Sequence, residues 1–389
     1  MNEYQLKLYN DLIVLSDTDE AFFYKDFYVD ETVYRVFNYR LASYTDFLKP
    51  SALQCRGIMF EVDPQFVTVV NGTPQARVVR LASFPMEKFF NLYENPMTMD
   101  LDLSEVDDVE LKVDGSLIST YIHNHELRLK TKGSLESDQA VAAMEFLARH
   151  ENKEFAEQLH ITALLGNTIN MEWCAPDNRI VISYMNAHLR VLNIRNNDTG
   201  EYVDYYDLAT RSTEFNEVID RWVEKLDIKD HTKFVSEIPD MEGVEGYVVR
   251  LVSTGQRVKI KTEWYLVQHR AKDSINSPRR LFEACIEEAT DDLRSLFHDD
   301  PVVIQLITEM EEFAEGIYNH TVDSVEKFYA ANKGLERKEY AILGQQTLDR
   351  KIFGLAMSKY LGRDVDYKEF LRKHYKSFGV ADDPVVVVE

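Results

Sequence analysis

The sequence predicts an α+β body followed by an all-helical C-terminal domain. Two observations carry this. Up to about residue 261 the chain is a succession of short β-rich runs separated by turn residues, with helical stretches between them. After about residue 264 the period changes: Val303, Leu306, Met310, Phe313 and Ile317 recur at spacings of three and four, the period of an amphipathic helix. The division is placed at 1–262 and 263–389.

Taken in order, the runs read as strands are VYRVFNY (33–39), CRGIMFEV (55–62), FVTVV (66–70), RVVRLA (77–82), ELKV (110–113), SLISTYI (116–122) and ELRLKT (126–131). TINMEW (168–173), RIVISY (179–184), LRVLNIR (189–195), YVVRLV (247–252) and RVKIK (257–261) follow. They are rich in β-branched and aromatic residues, and HN, NG and TG turns separate many of them. SDQAVAAMEFLARH (137–150) predicts a helix capped by Ser137, and TEFNEVIDRWVEKL (213–226) a second. In the C-terminal part Asp299-Asp300-Pro301 reads as a capped helix start, and TLDRKIFGLAMSKYL (347–361) and YKEFLRKHYKSF (367–378) fit helices. No internal repeat or long linker is visible.

The 389 residues carry a net charge of −23. That balance excludes a broadly basic coat for nucleic acid. A polyanionic substrate has to be met by a local concentration of Lys and Arg. Cys55, Cys174 and Cys285 are far apart, form no CxxC pair and have no Cys/His zinc spacing, so a reducing, cytoplasmic setting is expected. The first twenty residues lack the basic start and apolar core of a secretory leader. No apolar run approaches the roughly 18 residues of a membrane span.

Within this acidic chain LKVDGSLIST (111–120) is unusual. Lys112 sits in a strand-like run two residues before Asp114-Gly115, where Asp and Gly are disfavoured and a buried lysine is costly. A lysine amine is a nucleophile toward phosphorus when deprotonated and aligned, and Gly115 permits a tight turn beside a ligand. The pattern KxDG is weak alone. RVKIK places Lys259 and Lys261 on one face of a strand, where they repel unless an anion lies between them; a solvated edge strand is the other reading. VEGYVV puts Glu245 immediately before a strand, which fits a plain turn as well as a ligand. INMEWCAP puts Glu172 inside an apolar strand, where a carboxylate needs a partner, either a ligand or a structural salt bridge.

KVDG (112–115), NMEW (170–173), VEGYV (244–248) and KIK (259–261), in this order, resemble the ordered motifs of covalent nucleotidyltransferases. The flanking runs YRVFNYRLASYTDFL, ALQCRGIMFE, PMEKFFNLYENPMTM, APDNRIV, TGEY and KIKTEWY resemble the phage tRNA-repair RNA ligases of the RNA ligase 1 type. The likeness runs from about residue 20 to 300 and thins in the tail, where DDL and FGLAMS still fit. It implies an adenylyltransferase domain of antiparallel sheets over 1–262, and an all-helical domain for RNA or tRNA specificity over 263–389. It implies that Lys112 attacks the α-phosphate of ATP to give lysyl-AMP, that AMP passes to an RNA 5′-phosphate, and that a 3′-hydroxyl displaces it, with Mg²⁺ (or Mn²⁺) as metal.

By the same resemblance Asp114 and Gly115 shape the nucleotide loop and Glu172 contacts the ribose. Glu245 attends the metal, and Lys259 and Lys261 neutralise the phosphates. Arg56 and Lys88 hold the leaving pyrophosphate and Tyr39 adds a hydroxyl; Lys132 in KTKGS matches a functional lysine, and Asp291-Asp292 an acidic pair implicated in metal binding. For each a bland alternative exists: a rim salt bridge for Arg56, a helix-surface charge for Lys88, a core aromatic for Tyr39, a turn lysine for Lys132, a solvated face for Asp291-Asp292. One departure is that LRVLNIR is aliphatic and offers no ring to stack on adenine; packing by residues such as Val248 is the substitute. The expected partner is RNA, a tRNA broken in its anticodon loop, sealed by a monomer. Lys333, Arg337 and Lys338, with Arg372, Lys373 and Lys376, either grip that stem-loop or are solvated helix faces. A DNA ligase or capping enzyme is disfavoured because those usually continue into a β-rich fold. A non-catalytic RNA-binding relative is disfavoured by the intact motifs.

Overall fold

The computed structural model describes residues 1–178, 180–210, 214–268, 275 and 277–381. It divides into two compact units, Met1–Leu92 with Met97–His269, and Tyr93–Pro96 with Arg270–Glu389. The first holds three antiparallel sheets and the second is helical, the α+β architecture expected.

Helix α1 (Glu3–Thr18) opens the chain with a capping box between Asn2 and Gln5. Its apolar stripe, Leu8, Tyr9, Leu12 and Ile13, packs against Phe22, Phe37 and Phe60 of the first sheet. That sheet is a meander of β1 (Phe22–Val29), β2 (Thr32–Tyr39), β3 (Ile58–Val70) and β4 (Thr73–Ser83). The two runs 55–62 and 66–70 are parts of one strand, β3, which bulges against β4 near Asp63. Neither α1 nor β1 was predicted, although the spacing of Leu8, Leu12 and Leu15 and the aromatic run FFYKDFYV are visible in the sequence.

The second sheet has the order β11-β10-β5, with β5 (Val106–Lys112), β10 (Gly246–Leu251) and β11 (Arg257–Lys261). The third has the order β7-β6-β8-β9, with β6 (Ser116–His123), β7 (Glu126–Lys130), β8 (Asn167–Cys174) and β9 (His188–Asn196). Helices α2 (Asp138–Leu147) and α3 (Lys153–Leu164) cover it, burying Ala143, Phe146, Phe155 and Leu159 against Ile118, Ile169 and Ile194. Ser137 caps α2 as expected, accepting from Ala140 N–H.

Three expectations are corrected. In the predicted strand 179–184, Arg179 lies outside the described residues and Ile180–Tyr184 form no strand. The Val181 and Ile182 N–H groups donate to the Asp114 carboxylate and so are not available for a ladder. In 213–226 only Asn216–Asp220 is helical, and Thr213 lies outside the described residues. The following segment ties two sheets together: Val223 N–H donates to Val191 O of β9, and Leu226 N–H to Val109 O of β5. The run 347–361 is broken, with helices Arg337–Thr347 and Phe353–Tyr360 separated by a turn in which the Asp349 carboxylate accepts from Lys351 N–H.

In the helical unit Asp300 caps the helix Pro301–Asn332 by accepting from Val302 and Val303 N–H. Val325, Phe328, Tyr340, Ile352, Leu355 and Ala356 form its core. Helix Tyr367–Lys373 ends in a short 3₁₀ turn, Tyr375–Phe378. Helix Glu263–Gln268 groups with the first unit, anchored by buried Tyr265, whose hydroxyl donates to Asp114 Oδ1 at 3.0 Å. Among the described residues no helix is long and apolar enough to cross a membrane.

Candidate active site

The second and third sheets face each other across a cavity of about 270 Å³. Its lining includes Lys112, Gly115, Glu172, Arg56, Lys259 and Lys261, so motif residues more than 140 positions apart in sequence meet in one cleft. The β10 register explains how. Gly246 pairs with Lys112 of β5 on one side and with Lys261 of β11 on the other. Glu245 precedes Gly246 and therefore reaches both lysines: its Oε1 lies 2.7 Å from Lys112 Nζ and 3.3 Å from Lys261 Nζ. A side chain at 246 is excluded, because a Cβ there would lie 2.1 Å from the Ile260 carbonyl oxygen.

Glu245 is almost fully buried, and its second oxygen, Oε2, has no hydrogen-bond partner among the described residues. A buried, unmatched carboxylate oxygen beside a cationic cleft fits a hard cation. Among the described residues no group of three His, Cys, Asp or Glu side chains could hold a metal by itself. A Mg²⁺ would therefore take Glu245 together with nucleotide phosphates and water, the usual way that ion is bound in phosphoryl-transfer sites. Asp291 and Asp292 open the helix Asp291–Leu296 of the helical unit, with Asp292 buried.

Lys259 and Lys261 leave the same face of β11, and Arg257, two residues earlier, joins them in lining the cleft. Glu172 on β8 faces these cations. Desolvation raises its carboxyl from 4.5 to about 8; Glu245 and Asp114 add to the rise, whereas Lys112 and Arg56 oppose it. Asp114 is not free to meet a ligand. Its Oδ2 accepts from Val181 and Ile182 N–H and its Oδ1 from the Tyr265 hydroxyl, so it anchors the turn after β5. Gly115 makes the required close approach: a Cβ there would lie 2.3 Å from the Trp173 carbonyl oxygen on β8.

Arg56 reaches the cleft from the first sheet and donates to the Met86 carbonyl at 3.4 Å. Lys88 lies on an extended strap, not on a helix, with its Nζ 5.9 Å from the Tyr39 ring centre and 5.1 Å from that of Phe90. Lys132 Nζ lies 4.3 Å from the same Tyr39 ring. Tyr39 thus stands between two lysines, its ring packed edge-on against Phe47. Phe89 and Val248 also line the cleft, so an aromatic ring is present on the strap where β9 has none. The sequence reading passed over Phe89, although it sits in the quoted run MEKFF. It also passed over Lys130, which is fully buried, donates to the Gly57 and Thr131 carbonyls, and is pushed down to about 7 by burial.

Lys112 and Lys261 thus share one buried carboxylate in a cation-lined cleft between antiparallel sheets. The chain belongs to the RNA ligase family: the family's sequence pattern matches residues 54–265, and that of the T4 RNA ligase 1 C-terminal domain matches residues 272–379. RNA ligase 1 of bacteriophage TS2126 is 27% identical over 311 residues, 75% of this chain and 70% of that protein. An archaeal ATP-dependent RNA ligase aligns in structure with 85% of this chain and 84% of its own, at 13% identity and a TM-score of 0.45. The protein is an RNA ligase.

The raised Glu172 carboxyl makes a stability prediction. Between about pH 4.5 and about pH 8 the folded state binds more protons at this site than the unfolded chain, so this group lowers stability as pH rises through that window. Glu172→Gln stays neutral throughout. In thermal melts without nucleotide, its Tm relative to the parent should rise from about pH 5 to about pH 7, each kcal/mol of difference being worth about 2–4 °C. A constant offset between the two proteins would show that Glu172 is ionised across the range.

Proposed function

We propose that Lys112 is the nucleophile of a three-step RNA-sealing reaction. Its Nζ forms a bond to the α-phosphorus of ATP as the bond to pyrophosphate breaks. The AMP then passes to the 5′-phosphate of an RNA end, and a 3′-hydroxyl attacks that activated phosphate and releases AMP. The observation that carries this reading is the sharing of one buried carboxylate by Lys112 and Lys261. An amine attacks only after losing a proton and leaving its ion pair, and a cleft already holding Lys259, Lys261 and Arg56 offers Glu245 other cations. Those charges oppose the negative charge that grows on the phosphoryl oxygens as phosphorus becomes pentacoordinate. Glu172 meets the ribose, Phe89 and Val248 pack on the base, and Arg56, Lys88 and Lys132 face the pyrophosphate beside Tyr39. Glu245 Oε2 would hold Mg²⁺ or Mn²⁺, and the ion would supply charge neutralisation at the phosphates.

Incubation with α-labelled ATP and Mg²⁺, followed by a denaturing gel, tests the nucleophile. The parent should carry label and Lys112→Ala none. Lys112→Arg should be equally blank, since a guanidinium stays protonated. Label retained by Lys112→Ala would move the chemistry to another residue.

We further propose that the RNA is a tRNA broken in its anticodon loop, sealed by a monomer in a reducing cell interior, and that the helical unit selects it. Lys333, which follows helix Pro301–Asn332, and Arg337 and Lys338, which open helix Arg337–Thr347, are exposed. Arg372 and Lys373 instead pair with Glu287 at 2.9 Å and Glu369 at 2.6 Å, which favours a solvated face there. Changing Lys333, Arg337 and Lys338 together to alanine should lower sealing of broken tRNA several-fold and leave a linear oligonucleotide unaffected. The loss should shrink as salt rises, because phosphate contacts are screened and release counterions. An unchanged ratio of the two sealing rates would remove tRNA selection from this cluster.

A further inference from the structure

Four buried polar side chains form a row across the third sheet. Lys130 of β7 pairs with Ser119 of β6, Ser119 with Asn170 of β8, and Asn170 with Asn193 of β9. All are nearly or fully buried. Sheet interiors are normally apolar at such positions, and a buried lysine without a carboxylate is costly. The hydrogen bonds show where the row leads. Ser119 Oγ donates to Asn170 Oδ1 at 2.6 Å, and Asn170 Nδ2 to Asn193 Oδ1 at 2.9 Å. Asn193 Nδ2 reaches Met86 Sδ at 3.5 Å. At the other end Lys130 Nζ donates to the Gly57 carbonyl at 2.7 Å and to the Thr131 carbonyl at 3.0 Å.

One end of the row bonds the backbone next to Arg56, and the other reaches Met86, whose carbonyl Arg56 bonds. Gly57 follows Arg56 in the chain, and the Met86 carbonyl accepts from the Arg56 guanidinium at 3.4 Å. Gly57 has φ +85 and lies so close to β7 that an added Cβ would be 2.6 Å from the Lys132 carbonyl oxygen. The Arg56 loop is thus pressed against the end of the strand that carries Lys130 and held there by the Lys130 Nζ hydrogen bond.

We propose that Lys130 is a positioning residue for the adenylation step, fixing the Arg56–Gly57 loop so that the Arg56 guanidinium stays aimed into the cleft. The inference rests on the reading that Arg56 acts on the pyrophosphate end of ATP. Lys130 itself touches no substrate. Its removal should therefore slow the one step that uses ATP and spare the step that joins RNA already carrying AMP.

The test compares two rates in full-length variants: single-turnover formation of the lysine adduct from ATP, and joining of a 5′-adenylated oligoribonucleotide without ATP. Lys130→Met should slow the first by about tenfold to a hundredfold, the range that follows from misplacing a group by a fraction of an ångström to an ångström. It should leave the second within about twofold. Combined with Arg56→Ala, Lys130→Met should add nothing, because the two act as one unit. Gly57→Ala, which pushes the same loop off Lys132, should show the same split and decides the matter if Lys130→Met does not fold. Adenylation at the parent rate in Lys130→Met or, failing that, in Gly57→Ala, equal loss of both rates, or multiplicative effects with Arg56→Ala would each overturn the proposal. A parent rate in Arg56→Ala would defeat the reading of Arg56 and this inference with it. A slow Arg56→Ala beside a normal Lys130→Met would defeat this inference alone.

Discussion

Glu245 is the constraint on which the site depends. One nearly buried carboxylate faces two ammonium groups, and each of the three side chains comes from a different place in the chain. Burying those charges costs several kcal/mol each unless they are paired, so the arrangement holds only where the strand register brings them together. That register is set at Gly246, which is paired on both sides and has no room for a side chain. The register of the second sheet therefore brings Lys112 and Lys261 to one acidic residue.

The third sheet supplies the opposite wall and works by a different device. Its helix-covered face is apolar, built on Ile118, Ile169 and Ile194. Its other face carries the polar row and Glu172. Asp114 connects the walls: its carboxylate ties the turn after β5 to the segment after β8 and to the helix that follows β11. A chain with a net charge of −23 thereby keeps a cation-rich cleft by concentrating Lys112, Lys259, Lys261, Arg257 and Arg56 within it. The surface as a whole repels a polyanion, so productive approach is confined to the places where this balance is locally reversed.

Much of this was legible in the sequence because it was written in short patterns. The alternation of RVKIK placed Lys259 and Lys261 on one face, and β11 does so. The Asp-Pro start of the long C-terminal helix is a local capping rule, and Asp300 obeys it. The pairing of Lys112 with Glu245 joins residues 133 positions apart by an unwritten register, so spacing alone could not give it. RIVISY reads as a strand from composition, yet its backbone donors were taken by Asp114, a tertiary contact that no local propensity reports. Lys130 was hidden for a similar reason: in ELRLKT it alternates like a solvent-facing lysine, yet it is buried and bonds the distant Gly57 carbonyl. The α1 stripe and the β1 aromatics carried a readable period that went unused.

The most direct test of the account is to find the atom that carries AMP. After incubation with ATP and Mg²⁺, proteolysis under conditions that spare a phosphorus–nitrogen bond and peptide mass mapping would locate the adduct. A single adenylated peptide is expected, the one containing Lys112, with the peptides of Lys130, Lys259 and Lys261 unmodified. An adduct on any of those three, or none on the Lys112 peptide in protein that still seals RNA, would contradict it.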